Sequence, residues 1–205
     1  MGNCTKALEL YKKALQIREN SLLPSHPDMA TSYNNIGSLH EKIGDYPEAI
    51  EFLERACKIR EQSLPQNHPD LATSYNNIGS FYEKTGDYRK AFESHERALN
   101  IREQSLSRNH PDLAISYTNI GLYYEKIGDY LKAIDFYEKA LKIRKHASLV
   151  NYPDLAASYD NIGELYEKIG DYAKAMGFHE KALVIRQQSR APNASNLASD
   201  SNKIG

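Results

Sequence analysis

The side chains best suited to chemistry recur at a fixed interval. His26, His68 and His110 each precede Pro-Asp at 42-residue spacing, and Tyr152 precedes Pro153-Asp154 after a further 42. An imidazole next to a carboxylate can bind a metal or relay a proton near neutral pH. A metal site needs several ligands converging on one point, and one His per 42-residue unit supplies no local chelate. His95 and His179 stand where another unit has Tyr137, which suits a packed or hydrogen-bonded variant better than a catalytic pair. Cys4 and Cys57 form no CxxC and have no ligand cluster beside them. The sequence contains no Walker loop, GxSxG, HExxH or dinucleotide fingerprint. The chain is therefore expected to be non-enzymatic, with no catalytic residues, no metal and no cofactor.

Composition narrows the partners. Apolar residues are 40% and charged residues 26% of the 205, and the formal net charge is −1. That balance predicts neither nucleic acid nor an anionic membrane as the main partner, because both need a basic face. No window approaches a membrane span, and the N-terminus has no apolar signal core. A reducing, cytoplasmic setting is expected. Met1-Gly2-Asn3-Cys4 approaches a myristoylation start, but Lys6 stands where Ser or Thr is wanted.

The elements that carry these residues follow from the same period. Gly37, Gly79, Gly121 and Gly163 keep the 42-residue interval, as do Arg18, Arg60, Arg102, Arg144 and Arg186. Within the second unit Pro69 and Asp70 predict a helix start. Leu71, Tyr75, Ile78, Gly79 and Tyr82 then recur at helical spacing. Gly86 predicts a left-handed stop, and Asp87 caps a second helix with Ala91, Phe92, Ala98, Leu99 and Ile101 on its apolar stripe. So short a connection makes an antiparallel hairpin. Such hairpins bury their apolar faces only by stacking. The glycines, with Ala49, Ala91, Ala133 and Ala175, are expected where helices cross most closely. The arginine row falls near second-helix C-termini, where a cation is stabilising.

The pattern Tyr33, Ile36, Gly37, Ala49, Ala56, and its copies in later units, resembles the tetratricopeptide repeat. The longer unit, seen in "ALNIREQSL" and "NHPDLATSYNNIG", looks like the kinesin light chain type, also found in nephrocystin-like proteins. The resemblance implies an all-α, right-handed superhelical solenoid of antiparallel hairpins. Its expected parts are a partial repeat over 1–25 supplying a second helix only, repeats over 26–67, 68–109, 110–151 and 152–190, and a disordered polar tail over 191–205. The incomplete first unit predicts a piece of a longer array, and the unfinished ends predict end-to-end self-association. His-Pro-Asp is also the signature of J-domain co-chaperones, but three copies in register are better explained as helix starts.

In this family the first helix of each hairpin lines a concave surface that binds an extended peptide. On that face lie Thr31, Asn34, Asn35, Ser38 and Glu41, then Thr73, Asn76, Asn77, Ser80 and Glu83. The third unit offers Ile115, Thr118, Asn119, Leu122 and Glu125, and the fourth Ala157, Asp160, Asn161, Glu164 and Glu167. An amide both donates and accepts, so Asn35, Asn77, Asn119 and Asn161 can pair with any peptide backbone. The resemblance assigns them that role. The alternative is an amide that bonds an adjacent helix and fixes repeat geometry. The face changes from polar to apolar at Ile115 and Leu122, then to acidic at Asp160 and Glu164. The partner is expected to be a protein or peptide of unknown identity. Two other readings stay open: a carboxylate clamp, whose inner-face positions here carry Thr31, Thr73, Ile115 and Ala157 with Lys42, Lys84, Lys126 and Lys168 nearby but each following a Glu, and a recruitment segment of a larger enzyme or nucleotide switch.

Overall fold

Helix starts repeat a single chemistry in the computed structural model, which describes the backbone of residues 2–147 and 151–201 and the side chains of 6–147 and 151–189. Each His-Pro-Asp opens a helix, with the imidazole itself as the cap. The Nδ1 atoms of His26, His68 and His110 accept from the backbone N–H of Asp28, Asp70 and Asp112 at 3.2 Å. One of the orphan donors of the first turn is thereby satisfied. In the fourth unit the helix begins at Tyr152 itself, and Asn151 caps it by accepting from Asp154 at 3.3 Å.

The chain forms two compact units, one ending at Ser107 and the other beginning at Arg108. The first contains α1 (Gly2–Ser21), α2 (Pro27–Ile43), α3 (Tyr46–Ser63), α4 (Pro69–Thr85) and α5 (Tyr88–Ser105). The second contains α6 (Pro111–Lys126), α7 (Tyr130–Lys145), α8 (Tyr152–Ile169) and α9 (Tyr172–Ser201). Among the described residues there is no strand. The fold is an all-α helical-repeat solenoid. Helices α2 and α3, α4 and α5, α6 and α7, and α8 and α9 pair as antiparallel hairpins, while α1 packs on α2. Helix α9 runs to Ser201. For the expected polar tail over 191–205, all side chains and the backbone of 202–205 lie outside the described residues.

Each hairpin turns on a glycine held at φ between 82° and 90°, at Gly44, Gly86, Gly128 and Gly170. That left-handed conformation strains any residue with a Cβ. The following aspartates cap the second helices, Asp87, Asp129 and Asp171 each accepting an amide N–H at 3.2 Å. Asp45 instead receives the His40 ring at 2.9 Å.

Close helix contact explains the other glycine row. A Cβ on Gly79 would meet His95 at 2.7 Å, one on Gly121 would meet Tyr137 at 2.6 Å, and one on Gly163 would meet His179 at 2.8 Å. Ile36, Ala56 and Leu15 centre one core, Leu53, Cys57, Ile78 and Phe81 a second, and Ile162, Leu165, Tyr137 and Ala182 a third. His95 and His179 therefore face helix crossings, His95 fully buried and His179 bonded to Asp160 at 3.1 Å.

Arg18, Arg60 and Arg144 stand in the last turns of their helices, as expected, and have a further use there. Arg60 donates to Ser74 and Arg144 to Ser158, both at 2.6 Å, and Arg18 donates to Ser32. Each serine donates in turn to a carbonyl one turn back, at Asp28, Asp70 or Asp154. These guanidiniums tie one hairpin to the first helix of the next. Helix-end electrostatics contributes less than these bonds, because hydrogen bonds to a charged group are worth roughly 1.5–3 kcal/mol.

Candidate peptide-binding face

The first helices α2, α4, α6 and α8 turn one face to the core and leave the other for solvent. Tyr33, Ile36, Gly37 and their counterparts point inward. Thr31 and Thr73 are exposed, and their hydroxyls donate to the carbonyls of Pro27 at 3.4 Å and Pro69 at 3.2 Å. Ser80 donates to the Asn76 carbonyl at 3.1 Å. Ser38, Asn34, Asn35, Asn76, Asn119, Asn161 and Leu122 are partly buried, and Asn77 is exposed.

The amides differ in how far they are bonded within the chain. Among the described residues, Asn34, Asn35, Asn77 and Asn161 make no side-chain hydrogen bond within the chain, whereas Asn76 and Asn119 have partners. A spacer amide bridging two helices would be bonded. The first unit thus presents Asn35 and Asn77 with donors and acceptors unspent, and the second presents Asn161.

Charge on this face is largely internal. Lys84 bonds Glu41 and Lys168 bonds Glu125, each at 2.6 Å, linking successive first helices. The bond to Glu125 holds the Lys168 ammonium above the usual lysine range. Asp160 is 18% exposed and contacts both Arg186 and His179, so its charge is met inside the protein. The acidic character expected at the fourth unit therefore rests on Glu164, which is exposed. Thr118, at the Asp160 position of the third unit, accepts from Arg144 at 3.1 Å. Burial pushes the Arg144 pKa down, with Asp154 opposing.

The apolar stretch has a cavity. Ile115 lines a hollow of about 200 Å³ with Ala114, Ile143 and Ala147, floored by Arg144 and edged by Asn151. Sequence reasoning named Ile115 but had no sign of the hollow, because Ile143, Arg144, Ala147 and Asn151, distant along the chain, supply its far wall. The serine partners of the arginines were also missed. Their signal was present, since Ser32, Ser74 and Ser158 each lie 14 residues after an arginine of the row.

Among the described residues no helix is long and apolar enough to cross a membrane, and no three His, Cys, Asp or Glu are grouped to hold a metal ion.

Family models of the tetratricopeptide repeat match residues 1–62, 70–146 and 158–192. The chain belongs to the tetratricopeptide repeat family. No curated protein matches the chain. Among solved structures it is similar to BtubC (BKLC) from P. vanneervenii, with 28% identity, a TM-score of 0.81, and coverage of 92% of this chain and 75% of that one. It is similar in fold to a kinesin light chain-like protein of Podosopora anserina with nearly identical TPR-like repeats, at 23% identity and TM-score 0.78, covering 92% and 90%. The apo form of RapI shares the fold at 18% identity and TM-score 0.77, covering 94% and 67%.

Proposed function

We propose that this chain is a non-catalytic scaffold whose first helices hold an extended segment of a partner protein. The observation that carries the reading is the unspent hydrogen-bonding capacity of Asn35 and Asn77 on successive first helices of one unit. A peptide backbone offers a donor and an acceptor at every residue, which an amide matches without regard to sequence. Asn161 offers the same chemistry in the second unit, where the hollow beside Ile115 suits a single aliphatic side chain. Asn34, Asn76, Asn119, Thr31, Thr73, Ser38, Ser80 and Leu122 form the surrounding contact surface. An extended segment loses conformational entropy on ordering, so affinity for one segment is modest. A cytoplasmic location accords with this role.

The carboxylate-clamp alternative loses ground because Lys84 and Lys168 are already paired to glutamates. End-to-end association has an observation in its favour. Leu10 and Ile17 on α1 are 61% and 68% exposed, and Leu183 and Val184 on α9 are 54% and 50% exposed. A mass that stays monomeric by light scattering at high concentration would remove that second reading.

The test is a paired pull-down from cytosol using the chain and its Asn35→Ala, Asn77→Ala variant, with equal helicity checked by circular dichroism. Partners held by the first and lost by the second are expected. Identical partner sets would place binding elsewhere on the molecule.

A further inference from the structure

Three of the four hairpins fill one place on the second-helix side with a phenylalanine. Phe52 lies between Tyr33 and His40, with ring centroids at 6.1 and 5.5 Å. Phe136 lies between Tyr117 and Tyr124 at 6.3 and 5.6 Å, and Phe178 between Tyr159 and Tyr166 at 6.2 and 5.5 Å. A cation three residues further on stands over each ring: Arg55 at 5.8 Å, Lys139 at 4.6 Å and Lys181 at 5.1 Å. The 42-residue register puts Ser94 at this place in the α4–α5 hairpin.

The bracket survives without its filling. Tyr75 and Tyr82 occupy the two flanking positions, and Arg97 is the cation, standing over the Tyr75 ring at 5.4 Å. Ser94 donates to the Lys90 carbonyl at 2.8 Å, so its hydroxyl is spent on its own helix. Between these residues, Cys57 of α3 and Ile78 of α4 lies a cavity of about 460 Å³. Its walls are held in place, since Tyr75 donates to Glu61 and Tyr82 donates to Glu54. Burial pushes the Cys57 thiol up to about 11, leaving a neutral, polarizable wall at neutral pH.

We propose that this socket between α3 and α5 receives one aromatic side chain of a partner polypeptide, in place of the phenylalanine that the sister hairpins carry. The ring would stack on Tyr82, tilt against Tyr75 and lie beneath Arg97, each contact adding to the burial of its area. The rim carries Lys58, Lys90 and Arg97 against Glu54, Glu61 and Glu93. That balance favours a neutral ring over an anion or a free cation. The same polar rim can hydrogen-bond the peptide groups on either side of the ring, which a free aromatic molecule lacks. This site lies on other residues of the first unit than Asn35 and Asn77 and stands independently of the peptide face proposed above.

The probes are the capped tripeptide acetyl-Gly-Phe-Gly-amide, its leucine counterpart and toluene, titrated into the full chain and followed by amide NMR shifts. Saturable shifts at Tyr75, Ser94 and Arg97 are expected, with the phenylalanine peptide binding at least ~5-fold tighter than the leucine peptide. It should also bind at least ~3-fold tighter than toluene. Ser94→Phe closes the socket with the side chain its sisters carry; it should raise the melting temperature and abolish the shifts. Should that variant fail to fold, Tyr82→Leu removes the stacking surface and should erase the preference for phenylalanine over leucine. Absence of saturable binding to the unaltered chain, equal binding of the two peptides, tighter binding of toluene, or undiminished binding to Ser94→Phe would each overturn the proposal.

Discussion

Glycine to alanine should have opposite signs at two helical positions of the second unit. Alanine at Gly121 places a Cβ 2.6 Å from two carbons of the Tyr137 ring. Carbon atoms prefer roughly 3.5–4.0 Å, so the ring must retreat by about 1 Å. It has little room, being 3% exposed and tied through its hydroxyl to Glu125 at 2.9 Å. Overpacking of this kind costs about 1–3 kcal/mol. Against it stands the better helix propensity of alanine, about 1 kcal/mol. The net expectation is a loss of about 1 kcal/mol. Gly177, inside α9, has nothing within 4 Å of its would-be Cβ, so Gly177→Ala keeps the whole propensity gain of about 1 kcal/mol. The two variants should therefore lie about 2 kcal/mol apart in urea unfolding followed by circular dichroism. A Gly121→Ala, Tyr137→Leu double variant, copying the Leu53 of the first hairpin, should recover most of the loss. Stabilisation by Gly121→Ala equal to that of Gly177→Ala would refute the close-approach argument.

Further expectations follow from the bonds between hairpins and from the buried acids. Arg60→Ala and Ser74→Ala should each cost about 1–2 kcal/mol, and the double variant should cost less than their sum; full additivity in thermal unfolding would dismiss the tie. In a Cys4→Ser background, Cys57 should react with iodoacetamide at pH 8 about 100-fold slower than free cysteine, because its pKa rises from 9.0 to about 11 through burial. A rate near that of the free amino acid would contradict this. Burial, with the bond to Glu61, raises Tyr75 from 10.0 to about 12. The folded state favours the neutral phenol, so its stabilisation is complete below pH 10 and is lost as pH rises toward 12. Tyr75→Phe should flatten the stability curve in that window, and an unchanged slope would count against the assignment. His68→Ala should lower stability by about 0.5–2 kcal/mol, while His68→Asn should not, since asparagine caps equally well.

How far the molecule could be read in its sequence depended on which features repeat. The left-handed glycines, the crossing glycines and the helix starts all recur at 42 residues and were legible. The His caps were only half read: the proline and aspartate announced a helix, but an imidazole acceptor two residues before its donor is a matter of side-chain rotamer. Arg60 and Ser74 are both periodic and keep a constant 14-residue offset, but that offset shows a tie between hairpins only once the helices are packed. Asp160 looked like an acidic end of the binding face because Arg186, 26 residues on, is not a sequence neighbour. Ser94 was passed over for the opposite reason. It breaks a phenylalanine row that lies outside the family motif, so its meaning appears only when Tyr75, Tyr82 and Arg97 are seen around an unfilled place.

The most direct test of the scaffold reading is site-resolved photo-cross-linking to partners in cytosol. A photoreactive residue at Thr73, exposed on α4 beside Asn76 and Asn77, is compared with one at Glu96, exposed on α5. The account predicts that partner proteins cross-link from Thr73, that Asn35→Ala, Asn77→Ala abolishes those products, and that the cross-linked partner peptide maps to an extended segment. Products formed from Glu96 alone, or Thr73 products indifferent to the two asparagines, would contradict it.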